Sequence, residues 1–112
     1  MSLNYIPDRG DIVWLDLNPD ESASEQKERK SVLVISPKTY NGKTGLVIIC
    51  PVKGKAKDYP FEVIIPEDSK IKGVILTDQV KSLNWKIRNA EFICKLADGK
   101  FSEAISKLLT LL

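Results

Sequence analysis

DIVWLDLNPDESASEQKERKSVLVI, residues Asp11–Ile35, is the stretch on which the fold turns. Its ends, Asp11–Leu17 and the run starting at Ser31, are short and rich in Val, Ile, Leu and Trp, the composition of strands. Between them lies Pro19–Lys30, twelve residues where a hairpin needs about two to five. A long polar loop in a small domain is either functional or merely solvated and disordered. This one ends in Glu25, Gln26, Lys27, Glu28, Arg29 and Lys30: an acid, an amide and a group of cations.

Working outward, Arg9-Gly10-Asp11 reads as the turn that launches the first strand, and Pro37 stops the second at Ser36. Both faces of Asp11–Leu17 are apolar, so that strand is expected to be buried on two sides. Lys38–Gly45 reads as a turn, with Asn41-Gly42 supplying its positive-φ pair after a short helical turn. Leu46–Cys50, closed by Pro51, reads as a central strand. Phe61–Ile65, Gly73–Thr77 and Ala90–Leu96 follow as strands, the last with Phe92, Cys94 and Leu96 opposite Glu91, Ile93 and Lys95. Asp78–Arg88 fits a short strand, a turn and a further strand. From about Asp98 the period changes: Phe101, Ala104, Ile105, Leu108, Leu109 and Leu112 recur at helical spacing. Short strands without crossover helices, followed by one terminal helix, predict a small, strongly bent antiparallel β-barrel closed by a C-terminal α-helix. No repeat or second domain interrupts residues 1–112.

At 112 residues, 43% hydrophobic and 29% charged, the composition is that of an ordinary soluble globular domain. The net charge of +2 implies no partner by itself. Its distribution says more, with Lys53, Lys55 and Lys57 in one segment and Lys81, Lys86 and Arg88 in another, a hint of phosphate contact. Cys50 and Cys94 sit in apolar runs without metal-type spacing and read as small core residues, compatible with a reducing cytoplasm. The opening MSLNYIPDRGD does not read as a signal peptide, and no apolar run approaches the length of a membrane span. There is no histidine, which removes the commonest acid–base residue and metal ligand together.

Four motifs carry a family resemblance: YIPDRGDIVWLDLNP (5–19), VISPKTYNGKTGLVIICPV (34–52), KDYPFEV (57–63) and GVILTDQVKSLNW (73–85). In order and spacing they resemble the MazF/PemK family of toxin endoribonucleases, from about Tyr5 to Trp85 and more weakly across the terminal helix. The resemblance implies an SH3-like barrel with a C-terminal helix, assembled as a homodimer. It implies metal-independent cleavage of single-stranded RNA at short motifs, leaving a 2′,3′-cyclic phosphate and a 5′-hydroxyl, with no cofactor. It also implies a cognate antitoxin that covers the active site. Edge strands that need cover and the apolar face of Ala104–Leu112 independently suit a second copy.

Such cleavage needs a base for the 2′-hydroxyl proton, an acid for the leaving 5′-oxygen and positive charge on the phosphate. Without histidine, the base must be a carboxylate or a perturbed cation, and the acid a Lys, Arg or Tyr. Glu25 and the Arg29-Lys30 pair supply both kinds of group within six residues. An ungapped match puts Lys30 where the family has its catalytic arginine and Ser31 where it has proline. A one-residue shift gives the place to Arg29 instead. The family's threonine falls on Lys53. Lysine offers a point charge in place of arginine's planar fork, so the site is expected either to work with shuffled roles, to work weakly, or to bind without cutting. The expected catalytic set is Glu25, Arg29, Lys30 and Lys53. The expected RNA-contacting set is Gln26, Lys55, Lys57, Tyr59, Asp78, Gln79 and Lys81. Tyr59 either stacks on a base or packs a strand entry, and Asp78-Gln79 either reads base edges or caps a turn. A different class, a gyrase-trapping poison on the same barrel, would act through the helix terminus, which here is Leu111-Leu112.

Overall fold

Asp11–Asp16 (β1) lies inside the sheet, with a neighbour on each edge, and both its faces are apolar: Ile12, Val13 and Leu15 are wholly buried. Ile12 faces one core and Val13 and Leu15 the other, the alternation of a strand covered on two sides. The computed structural model describes residues 5–18 and 28–112. Seven antiparallel strands form one curled sheet in the order β4-β5-β3-β2-β1-β7, with β6 beside β3. They are β1, β2 (Arg29–Val34), β3 (Leu46–Lys53), β4 (Glu62–Ile64), β5 (Val74–Leu76), β6 (Lys81–Asn84) and β7 (Glu91–Lys95). Helix α2 (Asp98–Leu109) packs Ala104 and Phe101 against the Ile12–Leu33 core, so the expected mainly β, strongly bent antiparallel fold with a C-terminal helix is what the chain forms, its sheet curled as a half-barrel.

The second strand begins two residues earlier than its apolar run. Arg29 pairs with Asp16 and Lys30 with Leu15 across β1, so both belong to a strand and not to the polar loop. Cation–carboxylate pairing at Arg29 extends the ladder past the apolar residues. The third strand runs through Pro51, where it was expected to end. One edge of β3 pairs with β6 from Leu46 to Ile49 and with β5 from Val52 to Lys53. Pro51 falls between these two pairings, where a missing N–H costs no ladder bond.

The expected turn at 38–45 is a helix, α1 (Lys38–Thr44), with Gly45 ending it at φ +74°. Asn41 sits inside it because its amide is a buried polar hub. It donates to the Pro7 and Ser36 carbonyls (2.7 and 3.0 Å) and accepts from the Ser36 hydroxyl (2.5 Å). The Asp8 carboxylate accepts from the Lys38 N–H at the helix start, the main cause holding that carboxyl below its ordinary range. In β7 the expected alternation breaks at a bulge opposite Ile12/Val13, so Ile93 and Cys94 both pack on the core while Phe92 is 48% exposed. Segment 77–89 resolves into a 3₁₀ turn (Thr77–Gln79), β6 and a turn carrying Trp85 into the second core. Trp85 Nε1 donates to the Asn41 carbonyl at 2.9 Å. Among the described residues no helix is long and apolar enough to cross a membrane.

Candidate active site

Strand alternation separates the two candidate cations of β2. Lys30 shares a face with Val32 and Val34, and Arg29 shares the other with Ser31 and Leu33. The β2–β3 register pairs Val32 with Pro51; carried two residues further it sets Lys30 opposite Lys53. Lys81 lies on the other edge of β3, opposite Ile49. The half-buried Lys30 ammonium is held below the ordinary lysine range, first by burial, then by Lys81 in charge and hydrogen bonding, then by Lys53 and Arg88. The structure therefore brings Lys30, Lys53, Lys81 and Arg88 to one face. Among the described residues no acid pairs with any of the three lysines. A face of uncompensated cations suits an anion.

Arg29 is engaged on the opposite face. Its Nε meets Asp16 Oδ1 at 2.9 Å, its Nη1 meets Glu91 Oε1 at 2.6 Å, and its Nη2 donates to the Asn89 carbonyl at 2.6 Å. Asp16, 5% exposed, also accepts from Asn89 Nδ2 at 2.8 Å. Arg29 thus neutralises a buried carboxylate, with three of its five N–H donors engaged on that face. The pair was not legible in sequence; an Asp closing an apolar strand was its signal. Arg88 was read only as part of a basic cluster, yet its Nη1 clasps the Asp16 and Leu17 carbonyls (2.9 and 3.0 Å) where the chain leaves β1. Glu25 and Gln26 lie outside the described residues.

A second wall is built from the connector 54–61 and the 3₁₀ turn. The Tyr59 hydroxyl donates to Asp78 Oδ2 at 2.6 Å, and this bond first, with burial and the Asp78 charge, raises its pKa. Tyr59 is 43% exposed and meets Phe61 edge-on. Thr77, wholly buried, ties the turn to the connector by donating Oγ1 to the Phe61 carbonyl at 2.7 Å. Burial and then the Asp78 charge push the Cys50 thiol up to about 12, so the turn stands against β3 and the thiol is a protonated core group. Lys55, Lys57 and Gln79 are exposed along the same wall. Among the described residues no three His, Cys, Asp or Glu side chains gather as a metal would require.

Residues 8–112 match the family model described as PemK-like, MazF-like toxin of type II toxin–antitoxin system. The match runs through the terminal helix, where the motif resemblance had faded. The chain is 42% identical over 90 residues to the endoribonuclease toxin MazF of Escherichia coli K12, covering 80% of this chain and 79% of that one. It is 30% identical over 105 residues, 90% of each chain, to the endoribonuclease toxin ChpB of the same strain. Among solved structures, MazE-MazF (Form-II) from Deinococcus radiodurans matches with a TM-score of 0.86 at 40% identity over 96% of each chain. MazF (Form-I) from the same organism matches with a TM-score of 0.85 at 42% identity, over 96% of this chain and 97% of that one.

Proposed function

The chain belongs to the PemK-like, MazF-like toxin family of type II toxin–antitoxin systems, and from that premise we propose how its own residues cut RNA. It is an endoribonuclease toxin that cleaves single-stranded RNA at a short motif without a metal, leaving 2′,3′-cyclic phosphate and 5′-hydroxyl ends. The observation that carries this reading is the face on which Lys30, Lys53, Lys81 and Arg88 meet without a paired acid among the described residues.

Glu25 takes the 2′-hydroxyl proton, the 2′-oxygen attacks phosphorus, and the bond from phosphorus to the 5′-oxygen breaks. Lys30 gives its ammonium proton to that leaving oxygen. It takes the place of the family's arginine because it shares the cation face, whereas Arg29 is bound to Asp16 and Glu91. Lys53, in the threonine's place, neutralises the charge that builds on the equatorial oxygens. Lys55, Lys57 and Lys81 hold flanking phosphates. Tyr59 offers a stacking ring, and Gln26, Asp78 and Gln79 read base edges. A cognate antitoxin covers this face, and a second copy completes a homodimer in the cytoplasm.

The pH profile tests the assignment. A proton-donating ammonium is lost as pH rises through its pKa, and burial, followed by crowding by cations, sets that pKa below the ordinary lysine range. The alkaline limb of kcat/KM is therefore expected at lower pH than an unperturbed lysine gives. Lys81→Ala removes one repelling charge and is expected to move that limb upward. A limb that ignores Lys81→Ala, measured on one RNA across the same buffers, contradicts Lys30 as the acid.

A further inference from the structure

Strand alternation puts Glu62 on the face opposite the core residue Val63. It is instead 7% exposed, because the connector folds back over it. Both carboxylate oxygens accept from the Lys57 N–H at 3.1 Å, and Oε1 accepts from the Tyr59 N–H at 3.4 Å. The Glu62 N–H in turn donates to the Tyr59 carbonyl at 3.1 Å. Asp58 between the two amides takes φ +56°, the conformation that lets successive N–H groups converge on one anion. From outside, Lys107 Nζ of α2 donates to the Glu62 carbonyl at 2.6 Å, fixing the strand residue itself. A buried carboxylate that spends its acceptors on loop N–H groups sets the path of that loop.

We infer that Glu62 is a positioning residue for RNA: from beneath the connector it holds Lys57 and Tyr59 at the places from which they meet the strand. The inference rests on the endoribonuclease reading above and assigns Glu62 no contact with RNA. Tyr59 reaches the 3₁₀ turn through Asp78, so Glu62 also sets the spacing between the connector and the residues that read bases. Lys30 and Lys53 are fixed by strand pairing in β2 and β3 and not by Glu62, which separates binding from chemistry.

The test uses the full chain and a short RNA carrying the motif mapped with the unaltered protein, both unmodified and with a 2′-O-methyl group at the cut nucleotide. Glu62→Gln keeps the shape and turns half the acceptor into a donor. It is expected to raise KM and the Kd for the methylated RNA about tenfold, with kcat within about twofold. Amide exchange is expected to accelerate at Lys57 and Tyr59 while β1–β3 keep their protection. Tyr59→Ala combined with Glu62→Gln is expected to weaken binding less than the two single effects added. Should Glu62→Gln fail to fold, Glu62→Asp keeps the charge, withdraws it by one methylene and carries the same expectations. Unchanged binding, or a loss confined to kcat, overturns the inference while cleavage by the unaltered chain leaves the enzyme reading standing. Failure of the unaltered, folded chain to bind or cut RNA overturns both.

Discussion

Lys30→Ala is expected to lower kcat/KM on single-stranded RNA by about 100- to 1,000-fold, the range for losing a proton donor that also neutralises transition-state charge. The same change is expected to leave stability intact or raise it slightly, because Lys30 is half-buried among like charges. Arg29→Ala is expected to do the reverse. It strips the buried Asp16 carboxylate of its cation, leaving Asn89 as its remaining side-chain donor among the described residues. The cost is about 2–3 kcal/mol of stability, read as a lower urea midpoint, while the folded fraction keeps cleavage within about tenfold. Neighbours on one strand thus separate cleanly, since a strand sends successive side chains to opposite faces. An Arg29→Ala protein of normal stability that no longer cuts RNA would return the catalytic role to Arg29.

Gly73→Ala is expected to be the most damaging small substitution in the sheet. Gly73 holds φ +132°, and a Cβ there would lie 2.1 Å from the Lys53 carbonyl oxygen and 3.0 Å from its carbon. Both obstacles are backbone, so no side-chain rotation relieves them. β5 must separate from the end of β3, breaking the Lys53–Val74 pairing, at an expected cost of about 3 kcal/mol or more. The consequence is local as well as global, because the strand end that moves carries Lys53. Thermal unfolding and cleavage of one RNA measured together check this. A midpoint within about 2 °C of the unaltered chain contradicts the close approach.

The periodicities carried most of the architecture. Double-sided apolar runs place β1 and β3 inside the sheet and not at its edges, and the change of period at Asp98 marks α2. What periodicity could not carry were features fixed by contacts distant in sequence. Arg29 joins β2 because Asp16 and Glu91 wait across β1 and β7, partners 13 and 62 residues away. Asn41-Gly42 is helical because Asn41 serves Pro7, Ser36 and Trp85 at once. Pro51 is tolerated mid-strand because two strands share one edge of β3 on either side of it. At the candidate site, the motif resemblance pointed to Lys30 and Lys53, but that Arg29 and Lys30 lie on opposite faces needed the strand register. Glu62 was hidden because alternation assigns it to the outer face, and no local pattern announces a loop folding back over it.

The most direct measurement incubates the purified, folded chain with a long single-stranded RNA in EDTA and maps the new ends. Cuts are expected at a recurring short motif, unaffected by the chelator, with 5′-hydroxyl and 2′,3′-cyclic phosphate termini. Intact RNA, or cutting that depends on added metal, would contradict it.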